Sequence, residues 1–75
     1  MYWLVFRSDD KLSVVIQPAG SLVYARLTAA IAGSAAGEFV EGHELDGTIT
    51  KKIPKKVIGQ LLSQPEAIKL LKRIG

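Results

Sequence analysis

The sequence has no cysteine, a single histidine and only three prolines among its 75 residues. Without thiols there is neither a disulfide framework nor a thiolate metal site, so the stability must come from packing. Cysteine nucleophiles are excluded, and a serine nucleophile would have only His43 as a histidine base. The glycine motifs that hold nucleotide phosphates, G-x-x-x-x-G-K-[ST] and G-x-G-x-x-G, are also missing. We therefore expect a protein that is not an enzyme and has no cofactor.

Long apolar runs are missing too. The most weakly charged stretch, residues 19–36, is interrupted by Arg26 and diluted by Gly, Ser and Ala, which argues against a transmembrane helix. The apolar start, residues 1–6, has no basic segment before it and ends at Arg7, which is too early for a signal peptide. We expect a cytoplasmic protein without a membrane partner.

The length predicts one domain, residues 1–75, with a small core. A chain of this size removes roughly 60% of its extended surface from water on folding, so self-association would be a natural aid to stability. Because 48% of the residues are hydrophobic and 23% are charged, the chain should fold rather than stay disordered.

Two runs rich in aromatic and β-branched residues, 2–7 and 12–17, predict a β-hairpin. With the turn centred on residues 9–10, Val5 is opposite Val14 on one face. The second face is apolar as well, and we expect the C-terminal helices or a second copy of the chain to cover it. This makes it a candidate homodimer face, formed by Tyr2, Leu4, Phe6 and Val15.

A helix from about Leu22 to Ala32 is predicted next, capped by Ser21 and ended by Gly33. Its apolar stripe is expected to pack on the sheet and consists of Val23, Tyr24, Leu27, Ala30 and Ile31. After a loop at 33–37, residues 38–45 predict a third strand. One side of that strand would carry Phe39, Glu41, His43 and Leu45, with Gly42 marking a bulge.

Residues 46–53 fit either a turn or short helix capped by Asp46, which we favour, or a fourth strand. A helix should then begin at Pro54, with an apolar stripe of Val57, Ile58, Leu61 and Leu62. The run Ser63-Gln64-Pro65-Glu66 has the spacing of a capping box and predicts a last helix. Its inward residues are expected to be Ala67, Ile68, Leu70, Leu71 and Ile74.

Together these elements predict an α+β fold, order ββαβαα, with a three-stranded antiparallel sheet. Residues 1–45 would form the hairpin, the first helix and the third strand. Residues 46–75 would form a basic helical C-terminal segment.

Acidic residues surround the lone histidine, which raises the question of a metal site or an acid/base pair. Along a strand Glu41 and His43 share a face while Glu44 points away, so at most two ligands start a site, and no H-E-x-x-H motif is present. We expect a polar, solvated strand edge with no metal site and no catalytic residue.

The net charge of +3 conceals a strong asymmetry. Residues 1–50 hold three basic and six acidic groups, a balance of −3, whereas residues 51–75 hold seven basic and one acidic, a balance of +6. We expect this basic set to contact a polyanion, either nucleic acid or an acidic protein, with a purely solubilising lysine surface as the alternative. The set is Lys51, Lys52, Lys55, Lys56, Lys69, Lys72 and Arg73.

Lys55 and Lys56 would stand in the first turn of the helix begun by Pro54, where a bound anion could use the free backbone N–H groups. A helix-turn-helix reader is disfavoured because the last helix offers no Asn or Gln outward for base edges. The sequence thus favours a small polyanion-binding module over a protein-interaction subunit that dimerises through the apolar sheet face.

Overall fold

The computed structural model describes residues 1–31 and 37–74, except for the side chains of Ala30 and Ile31. The predicted α+β class is confirmed. A 3₁₀ turn, Lys55–Val57, precedes the last strand. The other elements are β1 (Tyr2–Ser8), β2 (Lys11–Gln17), α1 (Leu22–Ile31), β3 (Glu38–Glu44), α2 (Gly47–Thr50), β4 (Leu61–Ser63) and α3 (Gln64–Ile74).

The predicted hairpin is confirmed in register. β1 pairs antiparallel with β2, with Val5 opposite Val14 and Ser8 opposite Lys11, so only two residues form the turn. Asp9 there has φ 57°, a left-handed conformation that Asp tolerates better than most residues.

The sheet has four strands in the order β3-β1-β2-β4, so the predicted three-stranded sheet and the predicted helix from Pro54 were wrong. β4 pairs antiparallel with β2, with Leu62 opposite Val14 and Leu61 opposite Val15. Gly59 has φ +75°, which ends the 3₁₀ turn and redirects the chain to the free edge of β2. The helical spacing of the apolar residues was overridden by this long-range pairing.

The two faces of the sheet are covered by different parts of the chain. On one face α1 packs through Ala25 and Ala29, both fully buried. The expected cover of that face, C-terminal helices or a second copy, is therefore replaced by α1. The sheet residues beneath α1 are the candidate homodimer face, Tyr2, Leu4, Phe6 and Val15, at most 9% exposed.

The opposite face is covered by residues 46–58 and α3, which we call the C-terminal layer. The largest side chain that this layer buries is Ile53, 6% exposed, which lies in one cluster with Trp3 and Ile16 of the hairpin. Half-buried aliphatic side chains surround this cluster: Ile49, Val57, Ile58, Leu70, Leu71 and Ile74. Of the residues predicted to point inward from α3, Ile68 does not, because it is 41% exposed.

The helix α1 begins as predicted, since the backbone N–H of Tyr24 donates to Ser21 Oγ over 3.2 Å. Its predicted inward stripe was wrong, because Val23, Tyr24 and Leu27 face solvent. The sheet face beneath already carries large side chains, so the close-packed solution puts the two alanines inward. The side chains of the other two stripe residues, 30 and 31, lie outside the described part of the structure. Most of the predicted loop 33–37 also lies outside the described residues.

A bulge in β3 separates residues that strict alternation would place together. Phe39 pairs with Phe6 and Glu41 pairs with Val5, which leaves Val40 extra. Phe39 therefore faces α1, while Glu41 faces the C-terminal layer. The bulge is not at Gly42, where a Cβ atom would instead lie 2.5 Å from Leu22 Cδ1 of α1.

The two caps predicted in the C-terminal half are confirmed. The Asp46 carboxylate accepts the backbone N–H of Thr48 over 2.8 Å at the start of α2, which settles residues 46–53 as a turn with a short helix. At α3, Ser63 Oγ accepts the Glu66 N–H over 3.3 Å and donates to Glu66 Oε1 over 2.8 Å. No helix within the described residues is long and apolar enough to cross a membrane.

Candidate functional site

The structure places all seven predicted basic residues at the surface of the C-terminal layer. Lys51 follows α2, Lys52 lies in the next turn, and two lysines lie in the 3₁₀ turn. The other three are on α3. All three segments direct their aliphatic side chains to the same face of the sheet, which leaves the cations outside. The exposed set is Lys51, Lys52, Lys55, Lys56, Lys69, Lys72 and Arg73.

These cations have no carboxylate counterpart in the part of the chain that the structure describes. The one close approach of a basic to an acidic side chain among the described residues is between His43 Nε2 and Glu41 Oε1, over 3.5 Å, and it involves no lysine or arginine. Glu66 is the single acidic residue after position 50, and its carboxylate accepts the Ser63 hydroxyl. The positive charge of this layer is therefore left for solvent ions or for a partner.

The helix N-terminus predicted at Pro54 does not exist. Pro54 is extended, with ψ 136°, and the following 3₁₀ turn closes at once. The Val57 N–H donates to the Pro54 carbonyl and the Ile58 N–H donates to the Lys55 carbonyl, each over 3.2 Å. Lys55 and Lys56 thus contribute side-chain charge, without the backbone anion site that the sequence suggested.

A shallow groove of about 190 Å³ runs between the 3₁₀ turn, β4 and α3. Val57, Leu62 and Leu70 form its apolar lining, and Glu66, Lys69 and Arg73 border it from α3. The two cations are four residues apart and so share one helix face, and Glu66 lies three residues before Lys69. An anionic group with an apolar neighbour would find two cations here, beside one carboxylate that accepts the Ser63 hydroxyl. The sequence does not predict this groove, because the spacing of the apolar residues from 57 to 62 predicts one continuous helix.

The acidic edge of the sheet is formed by β3. Glu41 and His43 are more than half exposed and share a face, as predicted. Glu44 accepts the Tyr2 hydroxyl over 3.0 Å, and this hydrogen bond, with burial, raises the pKa of Tyr2. Among residues 1–31 and 37–74 no three acidic or histidine side chains converge in a way that could hold a metal ion.

Aromatic side chains are absent from the described surface of the C-terminal layer. Trp3, the only tryptophan, is 9% exposed beneath this layer, and Phe6 is 4% exposed on the other face. The Phe39 ring is covered by the Arg26 guanidinium, whose Cζ lies 3.9 Å from the ring centroid. The basic surface therefore offers charge without a platform for stacking bases.

No protein-family model, curated protein or solved structure matches this chain. Its function has to be inferred from the surfaces themselves. Two of them stand out: the basic surface of the C-terminal layer and the apolar outer side of α1.

Proposed function

We propose that the protein is a non-enzymatic binding module whose C-terminal layer contacts the phosphate backbone of nucleic acid. The observation that carries the proposal is the set of seven exposed cations without a carboxylate partner in the described part of the chain. Such cations release condensed counterions from a polyphosphate when they bind it, which gives favourable free energy at low salt.

The charge distribution also orients the complex. β3 forms the opposite edge of the sheet from β4 and carries three exposed carboxylates, those of Glu38, Glu41 and Glu44. A polyanion approaching that edge would be repelled, whereas the C-terminal layer attracts it. The charge distribution therefore makes the C-terminal layer the surface at which a polyanion is attracted.

The mode of binding would be independent of base sequence. The cations can reach phosphates, but α3 has no Asn, its one Gln is the half-buried Gln64 at the helix start, and the tryptophan is buried. We therefore expect comparable affinities for different duplex sequences at a given salt concentration.

Fluorescence anisotropy of a labelled DNA duplex tests the proposal. We expect binding at about 50 mM salt and a loss of affinity of on the order of 1,000-fold at about 200 mM. The triple variant K51E/K52E/K55E should abolish binding. Its matched control, R7E/K11E/R26E, changes the net charge by the same amount, from +3 to −3, on residues outside the C-terminal layer.

The control variant should retain more of the affinity than the C-terminal variant does. Circular dichroism of both variants shows that each is folded before binding is compared. Absence of binding by the wild-type protein at about 50 mM salt, or an equal loss in the two variants, would overturn the proposal.

A further inference from the structure

The outer side of α1 carries large apolar side chains in contact with solvent. Val23 is 75% exposed, Tyr24 60% and Leu27 54%. Residues three and four apart on a helix lie on the same face, so Leu27 is a neighbour of both of the others. We call these three residues the outer stripe.

This arrangement inverts the usual amphipathic helix. The small residues Ala25 and Ala29 are fully buried against the sheet, where only Leu22 of the larger described residues of α1 joins them, and three large apolar residues point away from it. Elsewhere in the described residues, the exposed large hydrophobic side chains are scattered singly over other elements: Val40, Leu61 and Ile68, each 41–46% exposed. A contiguous apolar patch, unlike such single residues, marks an interaction surface.

We propose that the outer stripe is a self-association surface that packs against the outer stripe of a second copy of this chain. This inference goes beyond the proposed polyanion binding and does not depend on it. The distribution of charge favours a second copy of the chain as the partner of the outer stripe. The outer stripe is uncharged, and the nearest cation in sequence, Arg26, is directed over the Phe39 ring.

An anionic membrane surface fits the outer stripe poorly, because the seven cations of the C-terminal layer lie on the opposite side of the sheet. A flat surface cannot contact both layers at once. Contact between two α1 helices, by contrast, directs the two C-terminal layers away from each other, and each of these layers has a charge of +5, from seven cations against Asp46 and Glu66. Of the contacts that join the same face of two copies, one between C-terminal layers or one between β3 edges would bring like charges together, whereas this one does not.

The contact would be isologous, with the same helix face on both copies. Three side chains from each copy form a small interface, below the area of about 1,200 Å² typical of stable complexes. We therefore expect a weak dimer, with a Kd in the range of about 10–100 μM. Such a dimer would present two basic layers on its outer sides.

Sedimentation equilibrium over about 1 μM to about 1 mM protein, without nucleic acid, tests the inference. We expect a monomer to dimer transition that persists at high salt, because the contact is apolar. L27E should raise the Kd at least about tenfold. The matched control is I68E, which places the same charge at an exposed aliphatic position on α3 in the other layer and should leave the Kd within about twofold.

Because the chain has no cysteine, a single engineered thiol gives a second readout. Tyr24→Cys should form a disulfide-linked dimer on mild oxidation, whereas I68C should do so much more slowly. A monomer at every concentration would overturn the inference, as would a dimer that I68E disrupts and L27E does not. Neither result bears on the anisotropy measurement, so the two proposals can fail separately.

Discussion

The two sides of the sheet are closed by layers of opposite design. The C-terminal layer turns its aliphatic residues inward, around Ile53, and its seven cations outward. The α1 layer turns two alanines and the half-buried Leu22 inward and three large apolar side chains outward. Both layers exclude water from the hairpin, yet only the first has a surface that is well solvated.

This difference separates two roles in a chain of 75 residues. The C-terminal layer supplies much of the apolar volume of the core and carries the charge that would attract a polyanion. The α1 layer fits closely, contributes little volume, and leaves apolar surface for a partner. The following predictions test this contrast, from the largest expected effect to the smallest.

Removing core volume should affect the C-terminal layer more than the α1 layer. Ile53→Ala should lower the free energy of unfolding by about 2–5 kcal/mol, since it leaves a cavity against Trp3 and Ile16. Leu22→Ala, at a half-buried position of α1, should cost only about 1–2 kcal/mol. Urea denaturation monitored by tryptophan fluorescence gives both values, and equal costs would contradict the contrast.

The inner face of α1 should tolerate added volume poorly, whereas its outer stripe should tolerate lost volume. Ala29→Leu should lower the free energy of unfolding by about 1–3 kcal/mol, because α1 lies close to the sheet at this fully buried position. Leu27→Ala, on the outer stripe, should change the stability of the monomer by less than about 0.5 kcal/mol. Thermal unfolding at low protein concentration compares them, and tolerance of Ala29→Leu would show that α1 packs loosely.

The cap at the start of α3 should contribute more to stability than the cap at the start of α1. Ser63→Ala should cost about 1 kcal/mol, because Ser63 Oγ makes two hydrogen bonds to Glu66 at the start of α3. Ser21→Ala should cost less, since Ser21 Oγ makes a single hydrogen bond here, accepting the Tyr24 N–H over 3.2 Å. Chemical denaturation of the two variants ranks the caps, and a larger cost at Ser21 would reverse the assignment.

The smallest expected effects are those of pH on stability, and one is expected on each side of the sheet. Hydrogen bonds from Thr48 lower the pKa of Asp46, so its contribution to stability is present above the ordinary pKa of Asp, about 3.9, and is lost as pH falls through the lower folded value. The hydrogen bond to Glu44 raises the pKa of Tyr2, so that contribution is present below about pH 10 and is lost as pH rises through the folded value.

Melting temperatures across the pH range check both directions. D46N keeps a capping side chain but should reduce the loss of stability in acid, whereas Y2F should reduce the loss in alkali. If D46N leaves the loss of stability in acid unchanged, or Y2F leaves the loss in alkali unchanged, the corresponding hydrogen bond is not formed in solution.

Local signals in the sequence predicted the elements that depend on near neighbours. The register of the hairpin follows from the turn at residues 9–10, and the start of α3 follows from Ser63 and Glu66. Both are determined by residues only a few positions apart, so no tertiary information is needed.

Long-range packing determined what the sequence could not predict. Leu61 and Leu62 have a spacing that suits a helix, but the free edge of β2 draws them into a strand. Periodicity showed that Val23, Tyr24 and Leu27 share a face of α1. It could not show that the sheet would select the alanine face, because that choice depends on the side chains beneath.

For the candidate site, the charge asymmetry and the residues of the basic set were visible in the sequence. Their common layer was not, because it depends on α2, the 3₁₀ turn and α3 packing on one face of the sheet. The groove beside Lys69 and Arg73 was likewise hidden until β4 was placed.

The salt dependence of binding to a DNA duplex tests the central claim most directly. A plot of log K against log salt concentration should be linear with a negative slope, and neutralising one cation of the C-terminal layer, Lys52→Gln, should reduce that slope by about one. Arg26→Gln, in the α1 layer, should leave it unchanged. A slope near zero for the wild-type protein, or the same reduction in both variants, would contradict the account.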